Sequence, residues 1–236
     1  MKDEHSAEQL APITLMLVED HLLTRMDLKT LLARTQDIQV IAEADNGEQA
    51  VKLALELKPN IILMDVGMPV LDGIAAARKI SVEAPDINVI MLTSHDNDDE
   101  IFASLATGAA GYCLKDIAPE RLYAAIRWVN AGDVWLDCAI ADKVFKKYMS
   151  VPTKFNLHPA QTATESKSSE PLSPVEMEVL VLVVEGLSNK EIADRLIMPL
   201  ATAQTHIRNI LGKLAVDDRT LKAMITVHNR NRTQLF

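Results

Sequence analysis

The chain of 236 residues has 48% hydrophobic side chains and a net charge of −9, enough apolar material for two ordinary domains and too acidic for a chain that binds polyanions along its whole length. No window approaches the run of about eighteen apolar residues that a membrane span needs, and the opening MKDEHSAEQLAP has no apolar signal core, so no membrane partner and a cytoplasmic location are expected. The two cysteines, Cys113 and Cys138, match neither a metal knuckle nor a disulfide framework and are read as reduced.

Taken in chain order, residues 1–12 read as a polar tail. From 13 to 131, short β-branched runs alternate with amphipathic stretches, a pattern that calls for a parallel sheet covered by helices on both faces. The expected strands are Ile13 to Val18, Ile38 to Ala44, Asn60 to Asp65, Ile87 to Thr93 and Ala110 to Leu114. Helices are expected to start near His21, Gly47, Gly73 and Asp98, with a fifth from Pro119 to Ala131 presenting Leu122, Ala125, Ile126 and Val129 on one face. Residues 132–171 read as a further helix, capped by Asp137, followed by a Pro/Ser/Thr-rich linker. Residues 172–236 read as a small all-α domain of four short helices. It opens with Ser173-Pro174 and Glu176, the spacing of a capping box with proline at the first helical position. Charge divides along the same line: residues 1–171 hold 16 Lys and Arg against 26 Asp and Glu, whereas residues 192–236 hold 7 against 3.

In an open parallel sheet, ligands bind beyond the carboxyl ends of the strands. The first strand ends in Glu19-Asp20, the third in Asp65, the fourth in Thr93 and the fifth in Lys115, so the reactive residue types share one edge. Carboxylates in one crevice repel unless a hard cation joins them, and Mg2+ held by a few carboxylates fits this set. Asp65 could then take a phosphoryl group as an acyl phosphate, with Lys115 and the Thr93 hydroxyl offsetting charge on the transferring oxygens.

The strings LVEDH (17 to 21), IILMDVGMPVLDG (61 to 73), VIMLTS (89 to 94) and GAAGYCLKD (108 to 116) resemble the receiver domains of two-component signalling. The resemblance implies a flavodoxin-like (βα)5 fold with a parallel five-stranded sheet over residues 13–131. It also implies Asp65 as phosphoacceptor, Glu19 and Asp20 as its partners in holding Mg2+, Lys115 as the phosphoryl contact and Thr93 with Tyr112 as the switch pair. The phosphoryl donor would be a sensor histidine kinase. Inward movement of Thr93 with burial of Tyr112 is the expected readout. The Glu-Asp pair departs from the commoner Asp-Asp and lengthens one arm around the metal.

The segment LSPVEMEVLVLVVEGLSNKEIADRLIMPLATAQTHIRNILGKLAVDDRT (172 to 220) resembles the LuxR-type helix-turn-helix of the NarL/FixJ response regulators. EGLSNKEIADRL supplies a turn and a scaffold helix with Ser188 as its cap, and a second helix is expected from about Ala201 to Leu214. By resemblance Gln204, Thr205 and Arg208 take the base-reading positions on double-stranded DNA. Lys190, His206 and Lys213 are candidates for phosphate contact or local structure, and Asn209 is a further donor on the outward side. Ala203-Gln204 stands where the family usually has Val-Lys, and Pro199 where it has serine. The final helix, about Thr220 to Asn229, offers a stripe for a homodimer on DNA or for ordinary packing.

A transcription factor switched by phosphorylation is therefore expected, with a phosphorylation-dependent protein-interaction adaptor as the alternative. The protein is not expected to be an enzyme. A phosphohydrolase with an Asp nucleophile would want a general acid two residues after Asp65, where Gly67 stands.

Overall fold

The computed structural model describes residues 11–94, 98–105, 107–150 and 172–213. Most of the expected tail, the linker over 151–171 and the closing helix with its dimer contact lie outside the described residues.

Five strands, β1 (Ile13–Val18), β2 (Ile38–Ala44), β3 (Ile61–Asp65), β4 (Asn88–Thr93) and β5 (Gly111–Leu114), alternate with α1 (Leu22–Leu32), α2 (Gly47–Leu57), α3 (Gly73–Glu83), α4 (Asp98–Leu105) and α5 (Pro119–Asn130). The sheet corrects the five-stranded expectation. A sixth strand, β6 (Trp135–Leu136), adds to its edge in the order β2-β1-β3-β4-β5-β6, and every pairing is parallel. Helix α6 (Cys138–Ser150) follows directly. The helical end consists of α7 (Pro174–Val184), α8 (Asn189–Arg195) and a helix over residues 200–213, here α9.

Alternation of side chains sorts the core into two layers. Leu15, Leu17, Leu63 and Leu92 pack with Leu122, Ile126 and Val129 of α5 on one side of the sheet. Met16, Val18, Met64 and Met91 face the other side, where Ala54 of α2 and Ile80 of α3 cover them. This second layer continues through Val134, Leu136, Ile140 and Val144 into Leu180, Val183, Ile207 and Leu211, so β6 and α6 carry one apolar core into the helical end. Helix α6 packs on α7.

The helix boundaries have local causes. Asn46 and Asp72 cap α2 and α3 through Gln49 N–H and Ala75 N–H. Ser173 with Glu176, and Ser188 with Glu191, form complete capping boxes at α7 and α8.

Candidate functional site

Each strand that ends in a reactive residue delivers it to the same rim. Carboxylate oxygens of Glu19, Asp20 and Asp65 lie within 4.8 Å of one another. Glu19 and Asp65 are buried, whereas Asp20 is exposed at the mouth. Lys115 Nζ reaches between them, 2.9 Å from Glu19 Oε2 and 2.9 Å from Asp65 Oδ1. Burial pushes the Glu19 carboxyl up, Asp65 adds to that push, and Lys115 offsets only part of it. For Lys115, burial alone would lower the pKa, but the bonds to Asp65 and Glu19 outweigh it and leave the ammonium more firmly protonated.

This donor set fits a hard divalent cation. Three carboxylates converge where one ammonium is too little charge to satisfy them, and oxygen ligands are what Mg2+ requires. Thr93 Oγ1 is buried at the end of β4 without a hydrogen-bond partner among the described residues, next to the strand that carries Asp65. Lys115 N–H donates to Thr93 O at 2.9 Å, which locks the ends of β4 and β5 together.

The loop after Asp65 is held from both sides. Gly67 N–H donates to Asp65 Oδ1 at 3.3 Å and Gly73 N–H to Val66 O at 3.0 Å. A Cβ on Gly73 would fall 1.8 Å from Asp65 O, so glycine is what allows α3 to start against the end of β3. Between them Leu71 N–H bonds back to Pro69 O at 2.9 Å, a γ-turn centred on Val70 with φ +69. A β-branched residue in that region is strained, and Val70 is 81% exposed, so packing does not repay it.

Tyr112 lies buried on β5, its hydroxyl donating to Leu105 O at 3.3 Å. Burial pushes its pKa up to about 12. The side chain already occupies the inward position that the sequence reading reserved for the switched state.

On α9, Ala203, Ile207, Ile210 and Leu211 are buried, whereas Thr205, Arg208 and Asn209 are exposed, as is Lys190 on α8. Thr205 Oγ1 bonds back to Ala201 O at 2.7 Å. His206 Nδ1 is buried without a partner among the described residues. Lys213 Nζ pairs with Glu176 Oε2 at 2.8 Å, which ties α9 to the capping box of α7.

A family model of the response regulator receiver domain matches residues 15–127, and one described as bacterial regulatory proteins of the luxR family matches residues 170–226. The transcriptional regulatory protein LiaR of Bacillus subtilis is 38% identical over 217 residues, covering 92% of this chain and 98% of its own. The nitrate/nitrite response regulator protein NarL of Escherichia coli is 32% identical over 217 residues, covering 92% and 95%. Among solved structures, the response regulator ChrA of a heme-sensing two-component system is similar with a TM-score of 0.53 at 31% identity, over 94% of this chain and 99% of its own. The chain is a DNA-binding LuxR-family response regulator of a two-component system.

In this response regulator the turn after α5 holds two of the α9 side chains. Arg208 donates through NH2 to Gly132 O at 2.8 Å, and Gln204 Nε2 donates to Asp133 Oδ1. Asn189, buried at the start of α8, donates to Val134 O at 3.0 Å. The acceptors sit in the turn that closes α5: Gly132 at φ +89, with its N–H on Val129 O and that of Asp133 on Trp128 O, forms a Schellman cap. The residues that the sequence reading missed are thus Asp133, the Gly132 and Val134 carbonyls, and Asn189. Gly-Asp after a helical run does signal a turn, but nothing local marks a turn as a docking point.

Cys113 and Cys138 are both free thiols. Burial pushes the Cys113 pKa far up, and Cys138 accepts from Arg121 NH1 at 2.9 Å.

Proposed function

We propose that phosphorylation of Asp65, dependent on Mg2+ and supplied by a partner histidine kinase, switches DNA binding by α9. The observation that carries this reading is the convergence of Glu19, Asp20, Asp65 and Lys115 at one sheet rim, with the buried Thr93 hydroxyl at its edge. The receiver is taken as residues 13–131, the helix and linker as 132–171 and the DNA-binding domain as 172–236, with the chain acting on DNA as a homodimer.

The Asp65 carboxylate attacks the donor phosphorus in line. The bond from phosphorus to the donor's nitrogen or oxygen breaks, and its electron pair leaves with the donor. Glu19, Asp20 and Asp65 would hold Mg2+, which supplies positive charge to the phosphoryl oxygens. Lys115 then exchanges its contact with Asp65 Oδ1 for the transferred group, and the Thr93 hydroxyl, without a partner among the described residues, donates to it.

In the unphosphorylated chain, Gln204 and Arg208 are spent on Asp133 and Gly132 O, donors that would otherwise face base edges. Tyr112 is already inward, so coupling runs through main chain: Asp137 N–H donates to Tyr112 O at 3.0 Å and Trp135 N–H to Ala110 O at 2.9 Å. A shift at the end of β5 therefore moves β6 and the turn that holds α9. Thr205, Arg208, Asn209, Gln204 and Lys190 are the proposed DNA contacts. Lys213 and His206 are assigned to local structure, on the ion pair of one and the buried nitrogen of the other.

Incubation with acetyl phosphate and Mg2+ tests the reading. An acyl phosphate is expected, labile to base and to neutral hydroxylamine, on wild type and not on Asp65→Asn. The labelled fraction should bind DNA more tightly. Equal labelling of Asp65→Asn would remove Asp65 as acceptor, and unchanged DNA affinity would remove the switch.

A further inference from the structure

Arg25, on the first turn of α1, takes no part in the carboxylate cluster, yet it is bonded to the strand end that supplies two of its members. Its NH1 donates to the main-chain carbonyl of Glu19, and its Nε lies 3.5 Å from Glu43 Oε2 at the end of β2. The side chain is only 15% exposed. Lys29, one turn later, pairs with the other oxygen of Glu43, so Glu43 is itself anchored. The same turn is held by Glu19 N–H on Ala44 O at 3.1 Å and by His21 N–H on Glu19 Oε1 at 3.2 Å.

The carbonyl that Arg25 grips belongs to the peptide joining Glu19 to Asp20. Fixing that carbonyl fixes the plane of the peptide and hence the direction in which the Asp20 side chain leaves the backbone. Glu19 is buried and clamped by Lys115 and His21 N–H, whereas Asp20 is exposed and has no such clamp among the described residues. A planar fork that serves a carbonyl and a carboxylate at once suits this task, and lysine would serve only one of them. Mg2+ tolerates little departure from octahedral geometry, so the placement of Asp20 is where a loose ligand would cost most.

We propose that Arg25, braced by Glu43, is a positioning residue for the divalent cation site, setting the Glu19–Asp20 peptide so that both carboxylates meet Asp65. The proposal rests on the reading of Glu19, Asp20 and Asp65 as that site. It runs against simple charge: Arg25 is a cation beside a cation site, so its removal should strengthen Mg2+ binding by electrostatics alone. Positioning requires the reverse sign.

Calorimetric titration of the unphosphorylated full chain with MgCl2 decides between them, with thermal unfolding in EDTA to follow the fold. Arg25→Met is expected to weaken Mg2+ binding about tenfold, the lower end of what loss of a ligand-orienting partner costs. Arg25→Lys keeps the charge and loses the fork, and most of the same loss is expected. If Arg25→Met does not fold, Arg25→Lys carries the test. Affinity equal to or tighter than wild type in the folded variant overturns the proposal, as does a lowered melting temperature with Mg2+ affinity unchanged, which would make Arg25 merely structural. A wild-type chain that takes up no Mg2+ sinks the metal reading itself, and this one with it.

Discussion

Ile197 carries a left-handed backbone conformation that the ends of α5 and α7 give to glycine. Helices α5 and α7 both end in Schellman caps whose left-handed residue is a glycine, Gly132 at φ +89 and Gly186 at φ +84. Helix α8 ends in the same way, with Met198 N–H on Ala193 O at 3.0 Å and Ile197 N–H on Asp194 O at 3.3 Å, but the left-handed residue is Ile197 at φ +52. A β-branched side chain pays roughly 1–2 kcal/mol for that region. Ile197 is 94% exposed, so burial returns nothing. Ile197→Gly should therefore stabilise the protein by about 1 kcal/mol, after the extra chain entropy of glycine is set against the relieved strain. Thermal unfolding would register this as a rise of several degrees. A melting temperature at or below wild type would mean that the turn is held by something other than its cap.

At the scale of elements, the DNA-binding end is assembled around one carboxylate. Glu176 accepts from Ser173 N–H at 2.7 Å in the capping box of α7 and from Lys213 at 2.8 Å across to α9. Burial would raise its pKa, but the Lys213 ammonium and the Ser173 donors outweigh that and hold it below the usual 4.5. A carboxyl depressed on folding contributes stability that is fully present above its unfolded value and is lost as pH falls through the folded one. Stability should therefore decline below about pH 4.5 partly on account of this group. Glu176→Gln should cost about 1.5–3 kcal/mol at pH 7, the range for a hydrogen bond to a charged group, and should flatten the decline. Urea unfolding at several pH values would show it, and an unchanged slope would deny Glu176 the role. The capping box of α7 was legible in the sequence because Ser173 and Glu176 are three apart, as was Ser188 as the cap of α8, and the strands were legible because β-branched apolar runs alternate with amphipathic stretches. Strand β6 was not: two residues, Trp135 and Leu136, are too few for any alternation to be read, and what makes them a strand is the free edge of β5. Arg25 and Glu43 were equally hidden, since a basic residue on a helix and an acidic one on a strand read as solvated charges until the turn at Glu19 brings them together.

Over the whole molecule, the receiver and the DNA-binding end share a seam with an apolar and a polar part. Its polar part includes, among the described residues, hydrogen bonds from Asn189, Gln204 and Arg208 to the turn over residues 132–134. Two of the donors are half-buried or exposed, so each of those bonds is worth about 1 kcal/mol rather than its full charged value. Beside them lies a cavity of about 380 Å3 lined by Trp128, Trp135, Val183, Leu187 and Ile207, so the apolar contact is incomplete. The pairing of Gln204 with Asp133 spans 71 positions, which is why no local pattern announced it. Asp133→Ala removes the acceptor of Gln204 and leaves both the pocket and α9 intact. Losing about 1 kcal/mol from the closed form should shift the balance towards the open form about fivefold. The unphosphorylated variant should bind DNA several-fold more tightly than unphosphorylated wild type, while the phosphorylated forms bind alike. The two tryptophans of the chain pack edge to face at 5.3 Å on this seam, so opening should also red-shift their emission. Fluorescence anisotropy with labelled DNA, read beside tryptophan emission, separates the cases. A gain that appears equally in both phosphorylation states would show that Asp133 acts on DNA affinity directly, by its charge, and not by holding α9 away from the groove.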